Sequence, residues 1–394
     1  MLTRGFPKGE HFGTFQIHFG TFQNLLQDWT LFRIAQGCGS AKIWAMEPNS
    51  ARRYSRPTII DVARAAGVSK SLVSLALSGK SGVSDASQQK IFQAAADLGY
   101  TSNVWARSLV RGRTRLIGVV TTDIASAYNS DVVIGLEDAA AMDNYEVLLA
   151  HGRRDPDHLM RGVQRMLELG VDGLVVVSSK VPQTVLDDAA RRRPVVVVGR
   201  PSAAGDLLDV IHNDDELGGT LAVEHLIDAG HRQVGFVATS SRAAVQTRRE
   251  AYERVMQQAG IDYRWIVSAA DQSREDFPHH MIRAFTSACA TVNQRLPTAL
   301  FVAIDRIAVD IMGAAWDAGL RVPEDIALVG YNNSRLSESI RPGLTSVNQP
   351  RNAMGQLAMQ FLTERFEGRT QPRREVMTPE LVIRSSSGFE PSSM

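Results

Sequence analysis

Apolar residues recur along this chain in two rhythms, and the change from one to the other divides it. From 58 to 98 they fall three and four residues apart, the spacing of one face of a helix. Ile59, Val62, Ala63 and Ala66 line a first predicted helix, which Thr58 caps and Gly67 ends with a left-handed turn. Ser69 caps a second helix holding Val73 and Ala76 inward, and Ser84 caps a third with Ile91, Ala95 and Leu98 on one face, ended by Gly99. Alanines where the first two helices cross let their backbones approach closely, the arrangement of a helix-turn-helix.

Beyond 115 the rhythm changes to short, uninterrupted apolar runs. LIGVVT (116–121), VLLAH (147–151), GLVVVS (173–178), PVVVVG (194–199), VGFVA (234–238), TALFVA (298–303) and IALVG (326–330) read as buried strands. Amphipathic stretches lie between them, several ended by a glycine just before the next run, as at Gly170, Gly230, Gly260 and Gly319. This punctuation predicts parallel sheets covered by helices on both faces. Roughly 270 residues exceed one doubly wound sheet, so two α/β subdomains are expected. Ligands in such folds sit beyond the carboxyl ends of the strands.

Charge sharpens the division. Residues 51–115 hold eleven Lys and Arg against three Asp, a net +8, while the rest of the chain carries 32 against 39, a net −7. A formal net charge of +1 conceals a basic helical segment beside an acidic body, the footprint of a phosphate-binding module on a core that does not bind nucleic acid. The apolar content of 44% is globular, and no apolar run approaches the roughly 20 residues of a membrane span. Cys38 and Cys289 form no disulfide or zinc pattern. With no secretion signal, a cytoplasmic location is expected. The first 45 residues repeat HFGTFQ at 11–16 and 18–23 without a helical or strand period; we expect translation to begin at or near Met46.

The second helix of a helix-turn-helix reads bases from its first turn. Lys70 and Ser71 are the best candidates for base-edge contact, Leu72 for a thymine methyl, with Thr58, Ser69 and Ser74 beside them. Next comes YTSNVWARSLVRGRTR, 100–115. Asn103 can cap a short helix over 104–110 in which Leu109 lies between Arg107 and Arg111. A helix so short needs DNA or a partner to be stable, and an apolar side chain flanked by arginines suits a minor-groove wedge; the plainer reading is a basic linker.

Several separate stretches carry a family resemblance: IIDVARAAGVSKSLVSLALSG, NVWARSLVRGRT, GLEDAAAMDNYEVLLA, NDDELGGTLAVEHLIDAGHRQVGFV, RREAY, DRIAVDIMGAAWDAGLRVPEDIALVGYNN and PGLTSVNQP. Over residues 57 to about 385 the chain resembles LacI/GalR-type transcriptional repressors. The resemblance implies an all-α helix-turn-helix headpiece and a two-lobed α/β core like type I periplasmic binding proteins, which dimerises and binds a small effector between its lobes. It also assigns Leu109 to the minor groove. Where the family usually reads Val-Ser-x-x-Thr-Val-Ser-Arg, this chain has Val68-Ser69-Lys70-Ser71-Leu72-Val73-Ser74-Leu75, losing a hydroxyl and a charge. The usual hinge proline is Ser102.

In the core the resemblance picks out Arg248 and Asp305 as effector contacts, a guanidinium with paired donors and a carboxylate able to accept from adjacent hydroxyls. Arg248 as a surface charge and Asp305 as a helix cap are the alternatives. Asp123 and Tyr128 after the first strand, with Asn332 and Asn333 after the strand at 326–330, are expected to line the walls, as is Gln272. The residue before Asp305 is Ile304 rather than the common asparagine, and an aromatic common near Gln272 is missing, which leaves a sugar, a polyol or another small molecule open.

The expected organisation is an extension over 1–50, a headpiece over 57–102, a hinge over 103–114, a core over 115–385 and a disordered tail over 386–394. Within the core, lobe 1 is assigned about 115–212 and 334–348, lobe 2 about 213–333 and 349–385. No catalytic constellation, metal site or cofactor motif is expected; His279-His280 reads as a solvated loop, and His225 and His231 as structural residues facing the carbonyl end of a helix. The function expected is a homodimeric repressor of a near-palindromic double-stranded operator, released by a sugar or polyol. Alternatives are a corepressor-dependent regulator and a sugar-binding α/β protein whose headpiece is not functional.

Overall fold

The computed structural model describes residues 57–77, 82–100, 113–178, 180–200, 206–268, 277–279, 281–282 and 296–388. The chain forms two compact units, a helical one ending at Tyr100 and an α/β one that follows it. The expected hinge residues up to 112 and the extension before residue 57 lie outside the described residues, as does Gln272.

The helical unit contains α1 (Ile59–Ala66), α2 (Lys70–Leu77) and α3 (Asp85–Asp97). Thr58 and Asp61 cap α1 reciprocally: the Thr58 hydroxyl accepts from the Asp61 N–H while the Asp61 carboxylate accepts from the Thr58 N–H at 2.9 Å. Gly67 ends α1 at φ 67°, a left-handed conformation that residues with a Cβ adopt at a cost. Ser69 accepts from the Leu72 N–H, and Ser84 from the Ser87 N–H. The core is Val62, Ala63, Val73, Ala76, Ile91, Ala94 and Ala95. Leu98 was expected inside; it is 37% exposed, and Ala94 takes that place.

The α/β unit is built on two six-stranded sheets. The first contains β1 (Leu116–Thr121), β2 (Glu146–His151), β3 (Gly173–Val177), β4 (Val195–Val198), β5 (Asp209–Asn213) and β11 (Arg374–Met377), in the order β11-β5-β4-β3-β1-β2 and parallel throughout. The second contains β6 (Val234–Ala238), β7 (Trp265–Ser268), β8 (Ala299–Val302), β9 (Ala327–Asn332), β10 (Thr345–Asn348) and β12 (Glu380–Val382), in the order β12-β10-β9-β8-β6-β7. Only the short β12 is antiparallel to its neighbour, β10. Each sheet buries both faces. Ile117 and Val119 face one cluster and Val120 and Leu174 another; Phe236 and Phe301 face a third and Val237 and Leu300 a fourth. Burial on two faces is why these strands read as unbroken apolar runs.

The connecting helices are α4 (Ala127–Met142), α5 (Pro156–Glu168), α6 (Gln183–Arg192), α7 (Asp215–Asp228), α8 (Ala243–Gln258), α9 (Asp305–Asp317), α10 (Arg335–Ser339) and α11 (Arg351–Phe366). The chain passes between sheets three times: from β5 into α7, from β10 into α11, and from β11 into β12. This reverses part of the expected lobe assignment. Residues 345–348 pair with β9 in the second lobe, while α11 packs on α4 and β11 pairs with β5 in the first. The contact of α11 with α4 is backbone against backbone. A Cβ on Gly135 would lie 2.1 Å from the Asn352 carbonyl oxygen, and one on Gly355 2.0 Å from that of Val132.

Asp209, fully buried at the start of β5, holds the return of the chain in place. It accepts from both Arg365 and Arg369 side chains and from the Arg373 N–H. Burial alone would raise its pKa, but these donors hold the carboxyl below the usual range.

Residues 386–388, expected in a disordered tail, belong to the second lobe. Ser385–Ser387 form a 3-10 turn in which Ser386 and Ser387 are fully buried. The Ser386 hydroxyl donates to the Leu328 carbonyl and accepts from the Thr345 N–H, and Ser387 meets His225 Nε2 at 2.8 Å. Their hydroxyls close polar groups inside the second lobe, which a hydropathy reading cannot foresee. His225 is therefore buried among partners, and burial pushes its pKa down.

Candidate functional site

Two surfaces carry the expected chemistry. On the helical unit, Ser69, Lys70 and Ser71 are exposed in the first turn of α2, and Leu72 and Ser74 are half-buried. This places a cation and two hydroxyls at the helix end that a major groove would meet. Thr58 is exposed as well, and its hydroxyl both accepts from and donates to Asp61. Asn103, Arg107, Leu109 and Arg111 lie outside the described residues.

In the α/β unit, a cavity of about 350 Å³ lies at the carboxyl ends of strands from both sheets. Asp123, Tyr128, Arg248, Asp305 and Asn332 all line it. Five residues spread over two hundred positions meet there because each follows, or faces, a strand end.

Arg248, only 6% exposed, lies at the centre of a buried network. Its Nε and Nη2 reach Asp215 Oδ1 at 2.9 and 2.8 Å, Nη1 donates to the Ala303 carbonyl at 2.8 Å, and the guanidinium carbon lies 3.4 Å from the Tyr331 ring centroid. Burial opposes its charge, but Asp215 outweighs burial and holds the guanidinium above its usual range. The Tyr331 hydroxyl donates to Asp215 and accepts from Asn213 Nδ2. Arg248 is thus no surface charge, and only its remaining N–H groups are left for anything in the cavity.

Asp305 is 1% exposed, and both oxygens are engaged: Oδ2 accepts from the Ser334 N–H at 2.6 Å and Oδ1 from the Ser346 hydroxyl at 2.5 Å. It is not a helix cap, since Ile304 holds that position without a side-chain bond. Burial pushes its pKa up, against the pull of the Ser334 and Ser346 hydrogen bonds. The carboxylate ties the end of β8 to the segment around Ser334 that borders the cavity.

The first lobe supplies the facing wall. Asp123 accepts from Arg154 Nε at 2.6 Å and from the Ala125 N–H at 3.1 Å. These bonds outweigh burial and lower its pKa. The half-buried Tyr128 holds its hydroxyl 3.6 Å from Met354 Sδ, and burial, with the charge of Asp215 added, keeps the phenol protonated. Asn332 and Asn333 adopt positive φ, 113° and 46°, uncommon for residues with a Cβ. Gln349, just after β10, donates to Asn332 Oδ1 at 2.6 Å, pinning the bend where the chain leaves β9.

Two buried acceptors in residues bordering the cavity, Asn213 Oδ1 and Ser334 Oγ, have no hydrogen-bond partner among the described residues. Sequence reasoning did not select Asp215, Tyr331, Arg154 or Gln349. Asp215, adjacent to a strand end in NDDELGG, was the most accessible signal, but its partner lies 33 residues away on another helix. Among the described residues no three His, Cys, Asp or Glu gather as a metal cluster, and no helix is long and apolar enough to cross a membrane.

Known proteins resemble the chain over both units. Residues 58–103 match the bacterial regulatory proteins of the lacI family, and residues 223–387 a periplasmic binding protein-like domain. The HTH-type transcriptional repressor PurR of Photobacterium profundum is 33% identical over 340 residues, which cover 84% of this chain and 98% of that protein. Catabolite control protein A of Priestia megaterium is 30% identical over 334 residues, 82% of this chain and 97% of that one. Among solved structures, the lac repressor dimer bound to operator and the anti-inducer ONPF aligns with a TM-score of 0.69 at 25% identity, covering 84% and 99% of the two chains. The transcriptional regulator CelR in complex with cellobiose aligns with a TM-score of 0.60 at 28% identity, covering 84% and 100%.

Proposed function

The chain belongs to the lacI family of bacterial regulatory proteins, and from that premise we propose that it is a cytoplasmic, dimeric repressor whose grip on its operator is released by a small molecule bound in the interlobe cavity. The observation that carries this reading is the pairing, on one chain, of an exposed Lys70-Ser71 helix start in a basic segment with a cavity at strand ends bordered by several charged side chains. A dimer would set two α2 helices into successive major grooves about one helical turn, ~34 Å, apart on a near-palindromic site. Lys70 and Ser71 would contact base edges, with Leu72 against a thymine methyl. Leu109, between Arg107 and Arg111, would part a base step in the minor groove.

In the cavity, Arg248, Asp305 and Asn332 from one lobe and Asp123 and Tyr128 from the other would bind the effector. Gln272 is proposed to join them. Binding that favours one disposition of the lobes couples the two sites, and the coupling is reciprocal: operator must weaken effector binding by the factor that effector weakens operator binding.

Selection of bound duplexes from a random library by the purified protein tests the reading. Recovery of a palindrome with half-sites about 10 bp apart is expected. Recovery of unrelated sequences, with binding that depends on salt alone, would overturn it.

A further inference from the structure

Among the described residues, the charges lining the cavity do not balance. Six arginines border it against four aspartates. Each aspartate is already engaged: Asp123 by Arg154, Asp215 by Arg248, Asp305 by Ser334 and Ser346, and Asp310 by Arg306 at 3.8 Å. Among the described residues, Arg200 and Arg335 meet no carboxylate. Arg200 follows β4 in the first lobe, and its Nη1 donates at 3.0 Å to the hydroxyl of Thr247 on α8 in the second, a neutral partner. Arg335 opens α10 and is exposed. Two guanidinium groups that border the cavity with no carboxylate partner among the described residues favour an anion, since charge-assisted, bidentate bonds to carboxylate or phosphate suit the planar fork.

The neutral groups around them define the rest of the ligand. Ser126, Thr239, Ser240 and Asn332 line the cavity with neutral polar groups that suit ligand hydroxyls, and a cavity of about 350 Å³ lies at the small end of ligand sites. Resting on the repressor reading, we propose that the effector is a small hydroxylated anion, a sugar phosphate or sugar acid, whose charged group is held by Arg200 and Arg335. A neutral sugar or polyol would leave Arg200 with the Thr247 hydroxyl alone among the described residues.

Thermal unfolding of the full chain tests this with inorganic phosphate as probe, against chloride at matched ionic strength. Comparison with R200M/R335M cancels general salt stabilisation and any phosphate bound by the basic segment. At several times its dissociation constant, phosphate is expected to raise the wild-type Tm by roughly 2–4 °C more than that of the double variant. R200K/R335K should keep a part of the increment, which separates lost charge from lost packing. An equal increment in wild type and R200M/R335M overturns the proposal. Matched compounds then decide the anion: glucose 6-phosphate more stabilising than gluconate indicates a phosphoryl group, and the reverse a carboxylate. Glucose or glucitol stabilising as strongly as the charged compounds also overturns it. Operator binding measured without ligand separates the two readings, because specific binding that persists beside an absent phosphate increment removes the anion and leaves the repressor.

Discussion

Arg248 and Asp215 form a buried ion pair whose cation also stacks on Tyr331, so the residue expected to hold a ligand first holds the second lobe together. Removing one partner strands the other as a buried charge. Arg248→Met should lower unfolding free energy by about 3–5 kcal/mol in urea, and the double change Arg248→Met with Asp215→Leu should cost less than the single one. Equal or greater loss in the double variant would show that the pair does not act as a unit.

Asp305 both borders the cavity and ties Ser334 to Ser346. Asp305→Ala should make operator affinity the same with and without effector, and should lower the stability of the α/β unit by about 1–3 kcal/mol through two unsatisfied donors. Collapse of operator binding itself in a gel-shift titration would assign Asp305 a structural role alone.

The α4–α11 contact tolerates no side chain at its glycines. Gly355→Ala places a methyl on the Val132 carbonyl and should destabilise by about 1–3 kcal/mol or more, whereas Gly313→Ala, with open space around it on α9, should not. Chemical denaturation of both variants checks the contrast.

Asp209 sets a pH dependence. Its folded pKa lies below its unfolded value, so its stabilising effect is fully present above about pH 4 and is lost as pH falls through the depressed folded value. The stability difference between wild type and Asp209→Asn should therefore be largest near neutrality and shrink below about pH 4. A difference that stayed constant down to pH 2 would separate Asp209 from the acid transition.

Much of this architecture was legible because double-sided burial writes strands as apolar runs and short helices announce themselves by caps. Thr58, Gly67 and Ser84 act where their chemistry required. Strand β5 was not legible, because Asp209, His212 and Asn213 give it a polar sequence whose partners are arginines some 160 positions later. Nor could periodicity tell which sheet residues 345–348 would join, since a strand's pattern records burial and not its neighbour. At the cavity, Asp123, Tyr128 and Asn332 were chosen from their strand-end positions, and Arg248 and Asp305 from the family resemblance. Asp215 and Tyr331, which fix how Arg248 lies, declare themselves only in three dimensions. The tail misled for the same reason: Ser386 and Ser387 look solvated until Leu328, Thr345 and His225 are seen to bond with them.

The interleaving of the two sheets has a consequence for how the protein is made. β11 completes one sheet and β12 the other, and both come from residues 374–382. During synthesis the ribosome must release residues 374–382 before either sheet has its edge strand. The lobes therefore reach maturity together instead of one after the other as in proteins whose domains are contiguous in sequence. Any truncation made to isolate one lobe would leave an open sheet edge on it.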